Sequence, residues 1–306
     1  MIEEKQGVFY MALAYILWGV FPLYWKFLEE VPSEEILAHR IIWSFGFMII
    51  LLIFTREVRK LLGQITEILR KPKLLLYLFL SSVLISINWF VYIWAVNHER
   101  VLETSLGYYI NPIVSVFLGK LFLSEKMNRG QQVAFMLAGI GVLISAFEYG
   151  KIPWVSLLLA LTFGFYGLTK KMTKLKASFS LTLETLFVLP IAMSYFIYIS
   201  SNGESAFLIS DMHTVLLLIG GGIATAIPLL LFASGATKIP LFMIGVLQYI
   251  APTITFFIGV FLYHEPFSVY DFFTFSFIWC GIIVFTLSQM NVKSKWKWKK
   301  AKSFHM

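Results

Sequence analysis

A single cysteine, Cys280, stands among 306 residues. One thiol can close no intrachain disulfide and build no thiolate cluster, and its surroundings, FIWCGIIVF, suit simple packing. Charge is scarce as well. Only 14% of the residues are charged and 58% are apolar, with a mean hydropathy of +0.78, where a soluble domain carries about 25% charge. So few polar residues could not cover a water-facing surface, which excludes a large soluble protein. No Walker-type phosphate loop is present, so ATP-driven work would need another subunit. The five histidines, His39, His98, His213, His264 and His305, are scattered without ligand spacing, and there is no HExxH. GESAF at 203–207 lacks the second glycine of a nucleophile elbow. These absences predict no enzyme, no metal and no cofactor. The opening MIEEKQG is short and mixed in charge, so no cleaved leader is expected and the first apolar segment should stay as a helix.

Apolar runs fill the space that charge leaves. They fall at 8–27, 36–54, 74–97, 102–123, 130–147, 153–171, 179–200, 213–235, 239–262 and 269–289. Each is close to the ~20 residues that cross a bilayer as a helix. The expected fold is an all-α polytopic membrane protein of ten transmembrane helices. With the N-terminus in the cytoplasm, 21 Lys and Arg residues fall on cytoplasmic segments and three, Lys26, Arg100 and Lys151, on external ones. That bias places both termini in the cytoplasm. The net charge of +8 therefore requires no nucleic acid. The tail NVKSKWKWKKAKSFHM, directly after a membrane helix, suits anionic lipid or a topology signal.

One pattern occurs twice. GYYINPIVSVFLGKLFLSE at 107–125 returns as LQYIAPTITFFIGVFLYHE at 247–265. Tyr, Ile, Pro, Phe, Gly and the final Glu keep their offsets. Gly141 and Gly281 also differ by 140, and a Gly19/Gly164 pairing echoes more faintly. A repeat of five helices inserts its second copy upside down, an arrangement common in secondary transporters. Three units follow: 1–150, 151–290 and a basic cytoplasmic tail at 291–306.

The stretches YILWGVFPLYWK, EILAHRIIWS, NWFVYIWAVNHERVLETSLGYYINPIVSVFLGKLFLSE, FGFYGLTKK, LETLFVLPIA, TAIPLLLFASGA and LQYIAPTITFFIGVFLYHEPF together resemble one family. It is the EamA type of the drug/metabolite transporter superfamily, in the RarD group of chloramphenicol-sensitivity proteins. The resemblance implies ten helices in an inverted five-plus-five arrangement, a bacterial plasma-membrane setting and no ATPase module. It leaves the substrate open.

Polar residues inside apolar helices nominate the site. His39 and Arg40 lie early in the second helix, where Arg40 either snorkels to headgroups or offers a cavity cation to an anion. Asn88 and Trp89 offer a polar edge and a flat wall. Tyr108, Tyr109, Asn111, Gln248 and Tyr249 surround Pro112 and Pro252. Each proline removes a helical donor, so the two are candidate hinges or static bends. Glu184 either couples proton movement or pairs with a lysine of TKKMTKLK. Glu125 and Glu265 are candidate latches at opposite mouths, or solvated end residues. The expected activity is alternating-access movement of a small metabolite or drug-like solute, with a proton-coupled exporter as one option. An ion-independent facilitator and a non-transporting scaffold are the alternatives. A small-molecule substrate and the bilayer are the expected partners, with no obligate protein partner.

Overall fold

The computed structural model describes residues 2–123, 128–148, 152–173, 175–236, 238–239 and 247–303. All regular structure among them is helical: α1 (Ile2–Gly19), α2 (Phe21–Lys26), α3 (Ser33–Phe54), α4 (Val58–Leu69), α5 (Pro72–Asn97), α6 (Val101–Leu123), α7 (Arg129–Glu148), α8 (Trp154–Thr173), α9 (Ala177–Ser201), α10 (Ala206–Ile209), α11 (Met212–Ala236), α12 (Ile250–Phe257) and α13 (Val269–Ser303). A π-helical turn, Ile258–Leu262, continues α12. Seven helices among the described residues are long and apolar enough to cross a membrane; Trp154–Lys170 and Ile250–Leu262 are shorter apolar helices. Phe54, Phe147 and Ile191 are 82%, 83% and 71% exposed. Such surface faces lipid, not water. The chain is an all-α polytopic membrane protein.

Local chemistry sets the element ends. The first expected run, 8–27, is broken at Val20, because Pro22 lacks the donor that would carry the helix on. Pro32 and Pro72 stand where α3 and α5 begin, with Pro72 in the first turn, where a missing amide costs nothing. The segment between α3 and α5 was expected as a connection and holds α4 instead. Leu61 and Ile68, spaced seven apart, bury one stripe of α4 beside Leu52, Leu78, Phe179 and Leu183. The last helix also exceeds its expected end at 289 and runs on to Ser303. The ninth run, 239–262, is described only at Ile239 and from Leu247 onward.

Packing follows a regular scheme. α1 lies against α11 and α12, while α8 lies against α5 and α6. α3 also meets α11, as α9 meets α5; α3 crosses α9, and α7 lies along α13. Two apolar helices in lipid gain nothing by leaving the solvent, so close approach and van der Waals contact hold them together. A β-carbon on Gly222 would sit 2.4–2.5 Å from the backbone of Trp43 and Ser44, so α3 and α11 touch main chain to main chain. Gly141 meets Thr274 and Ile278, and Gly281 meets Ala134 and Ala138. A β-carbon on Gly139, two residues from Gly141, would meet nothing within 4 Å.

Candidate functional site

A cavity of ≈ 170 Å³ lies within the bundle, walled by α1, α2, α3, α5, α6, α8, α11 and the segment carrying α12. Aromatic residues supply eight of its eighteen lining side chains: Tyr15, Trp18, Phe21, Trp89, Tyr92, Tyr108, Phe163 and Phe232. Asn88, Asn111, Thr225, Gln248 and Thr255 supply polar edges, and Arg40 is the charged residue on the wall.

Arg40 is 4% exposed. Its guanidinium carbon stands 4.4 Å from the ring centre of Trp89 and 5.0 Å from that of Trp25. Both electron-rich faces offset part of the cost of drying a cation. Nε donates to Thr225 Oγ1 at 2.6 Å, while Thr225 donates its own proton to the Gly221 carbonyl. That relay leaves the threonine oxygen as an acceptor only and fixes the guanidinium plane. Nη1 is buried and has no hydrogen-bond partner.

Asn88 is held equally firmly. Its Nδ2 donates to the Leu159 carbonyl at 3.0 Å and to Thr162 Oγ1 at 2.9 Å, and its Oδ1 accepts from Tyr108 Oη at 3.2 Å. The amide thereby joins α5, α6 and α8 around one wall. Tyr15, Trp18 and Phe232 pack edge-on or tilted at 5.4–6.0 Å and close another.

One end of the bundle is tied across by side-chain hydrogen bonds. Glu265 accepts the Val101 and Leu102 amides at 2.6 and 2.8 Å, satisfying two orphan donors at the start of α6. Burial pushes its carboxyl above the ordinary carboxylate range, against the opposing pull of those amides. Tyr263 Oη donates to the Pro22 carbonyl at 3.0 Å. Glu35 gathers Ser205 Oγ and the amides of Ala206 and Phe207 at 2.8–3.1 Å. Trp25, Leu28, Val31, Ile36, Val96 and Val101 pack in one buried apolar cluster. Towards the other end, Glu184 is 1% exposed and fully matched. Its Oε1 takes Lys170 Nζ at 2.5 Å and Ser180 Oγ at 2.8 Å, and Oε2 takes Tyr166 Oη at 3.1 Å.

Of the residues nominated from sequence, Arg40, Asn88, Trp89, Tyr108, Asn111 and Gln248 meet on the cavity wall, as does Pro252. His39, Tyr109, Tyr249 and Pro112 are not on it. Adjacent helical residues point about 100° apart, and here that step carries His39 and Tyr109 off the faces that present Arg40 and Tyr108 to the cavity. His39 stacks on Phe207 at 4.6 Å, with Nε2 3.8 Å from Glu35. Tyr109 bonds Thr253 Oγ1 at 2.8 Å and stacks on Tyr249, centres 6.4 Å apart. Glu125 lies outside the described residues. Sequence reasoning missed Tyr15, Trp18, Phe232 and Thr225. The aromatics look like any membrane-helix side chains, but a threonine within GGGIATAIP was a polar signal open to notice.

The model of the EamA-like transporter family matches residues 5–147. The uncharacterized transporter YojE of Bacillus subtilis is 56% identical over 303 residues, 99% of each chain. Protein RarD of Escherichia coli K12 is 39% identical over 293 residues, 96% of this chain and 98% of its own. A crystal structure 16% identical superposes with a TM-score of 0.62, covering 93% of this chain and 98% of that one; at that identity the likeness concerns the fold alone. The chain belongs to the EamA-like transporter family, within the group of its RarD relatives, and is a secondary transporter of a small solute, multi-pass in the bacterial plasma membrane.

Proposed function

We propose that transport proceeds by alternating access between two inverted five-helix halves, 1–150 and 151–290, with 291–306 as a basic cytoplasmic tail on anionic lipid. Ten crossings result when α7, α8 and the segment carrying α12 join the seven long apolar helices. The observation that carries this reading is reciprocal packing around a shared cavity. The residues meeting Gly141, Thr274 and Ile278, stand 140 positions after those meeting Gly281, Ala134 and Ala138. Gly19 meets Ile254, and Gly164 meets Val114, again 140 apart. A two-fold relation between halves produces such swapped contacts, and an unrelated bundle has no reason to.

The charge bias supports cytoplasmic termini and a periplasmic position for the hydrogen-bonded end at Glu265, read here as the closed mouth. Opening that mouth requires Glu265 to release the start of α6, with Tyr263 leaving Pro22. Export is the direction adopted here; the cycle itself is reversible. Cross-linking tests the cycle. A β-carbon on Gly259 would lie 3.3 Å from Leu102 Cγ, so Leu102→Cys with Gly259→Cys, on a Cys280→Ala chain, brings two thiols together. Oxidation should abolish proteoliposome flux of any solute found active in a broad metabolite panel, and reductant should restore it. Unaltered flux after complete cross-linking would refute opening at this mouth, and the absence of flux for every solute of the panel before oxidation would select the scaffold.

Proton coupling through Glu184 is the finer part of the proposal: a proton on this carboxylate would release Lys170 and free α8 from α9. The same pairing also supports an uncoupled facilitator, in which Lys170–Glu184 is a fixed clamp. Flux that survives collapse of the proton gradient and the change Glu184→Gln would decide for the facilitator.

A further inference from the structure

Arg40 is a buried cation with an unspent donor. Among the described residues, the other ionisable side chains on its cavity wall are Tyr15, Tyr92 and Tyr108, whose phenols are neutral near pH 7. No carboxylate stands among the described wall residues. A cation in this setting normally keeps a charged partner, and a donor without one is costly. Nη1 has none, although Arg40 forms part of the cavity wall and Thr225 and two indoles hold its plane. The partner that the protein lacks is therefore sought in the solute.

Resting on the reading of this cavity as the solute site, we infer that the cargo is a small organic carboxylate with a flat apolar body, its anion bound by Arg40. The ring-lined walls select the body, because Trp89, Tyr108 and Phe163 offer faces and edges for stacking. Asn88, locked by three hydrogen bonds, stands on the same wall and limits how the body can lie. Size points the same way. At ≈ 170 Å³ the space is below the ~300–1,000 Å³ of sites for drug-sized ligands, and suits one or two fused rings with a short acidic arm. An amine or zwitterion fits poorly: its ammonium would enter a cavity whose wall already holds a cation and, among the described residues, offers no acid to answer it.

Indole-3-acetate, indole-3-acetamide and tryptamine share a ring and arm and differ in charge, so calorimetric titration of the purified protein with each isolates the anion. The acid should bind at least about tenfold tighter than the amide, the scale of one charge-assisted hydrogen bond, and the amine weakest. Arg40→Gln should bring the acid-to-amide affinity ratio close to one, and Arg40→Lys should fall between. Equal binding of acid and amide by the unaltered protein overturns the inference and leaves the cavity reading standing. Chloride or inorganic phosphate binding as tightly as the acid overturns the apolar body. If no acid, amide or amine in a wider panel binds at all, the inference falls together with the cavity reading. The acid-to-amide ratio of the unaltered protein decides even if Arg40→Gln does not fold.

Discussion

Residues 107–125 and 247–265 follow one sequence pattern, and the structure folds their described parts differently. The first lies in α6, continuous from Val101 to Leu123 through Pro112. The second has eight α-helical residues around Pro252, then the π turn, and it stops where His264 takes a φ of 50°. Only the second proline reaches the cavity, and its carbonyl is held by Ser105 Oγ at 2.8 Å. The copies also engage each other through Tyr109 and Thr253, and the glutamate ending the second accepts the amides that open α6, the helix carrying the first. A pattern that accepts two backbone courses suits a device whose halves exchange roles, and π turns concentrate at functional sites.

Breaking the seal between the copies should have the largest effect. Glu265→Ala strands two amides, at about 1–3 kcal/mol for each that stays buried, so the midpoint of thermal unfolding in detergent should fall clearly. Glu265→Gln keeps one acceptor and should lose less. A midpoint unchanged by both variants would mean that the contact does not hold the copies together.

Filling the reciprocal glycines probes how alike the halves are. Gly141→Val and Gly281→Val should each cost about 1–3 kcal/mol by overpacking, read as similar losses of midpoint. If only one is damaging, α7 and α13 do not meet as equivalents.

The tyrosine pair should separate the copies more finely. Tyr109→Phe deletes the bond to Thr253 and should cost about 0.5–1.5 kcal/mol. The Tyr249 hydroxyl is buried without a partner, so Tyr249→Phe should be neutral or slightly stabilising. Equal losses would refute this asymmetry.

The smallest expected effect is on pH. Burial, with Glu99 and Glu103 adding repulsion, holds the Glu265 carboxyl above its ordinary 4.5 in the sealed state. The sealed state therefore binds the proton more tightly than an open one. Stability from this group is full below about 4.5 and is lost as pH rises through the raised value. Labelling of a Val101→Cys reporter, on a Cys280→Ala chain, should rise with pH across that window. The ratio of its rate to that in a Glu265→Gln background should show the dependence, since thiol ionisation cancels. A flat ratio would remove the linkage.

Much of the fold was legible because lipid imposes length and apolarity on each crossing, and those properties are written residue by residue. The expected boundaries at 102–123 and 213–235 lie within one residue of those of α6 and α11. α4 escaped because an interfacial helix keeps charge on one face, so its mean hydropathy resembles a loop. The site was half legible. Polarity in an apolar helix marks Arg40 and Asn88, but cannot mark Trp18 or Phe232, whose type is common wherever lipid is near.

By itself, then, the sequence determined a membrane-embedded helical chain, an internal repeat and a short set of polar residues that could serve a solute. Only the tertiary structure decided which of them meet. Helical phase separates neighbours such as Tyr108 and Tyr109, and helix contacts bring Arg40 within reach of Thr225, 185 positions away. It also decided that Glu184 is matched by Lys170 while Arg40 Nη1 is left without a partner. Hydrogen bonds and ion pairs are satisfied in space, and their partners are set by how helices pack.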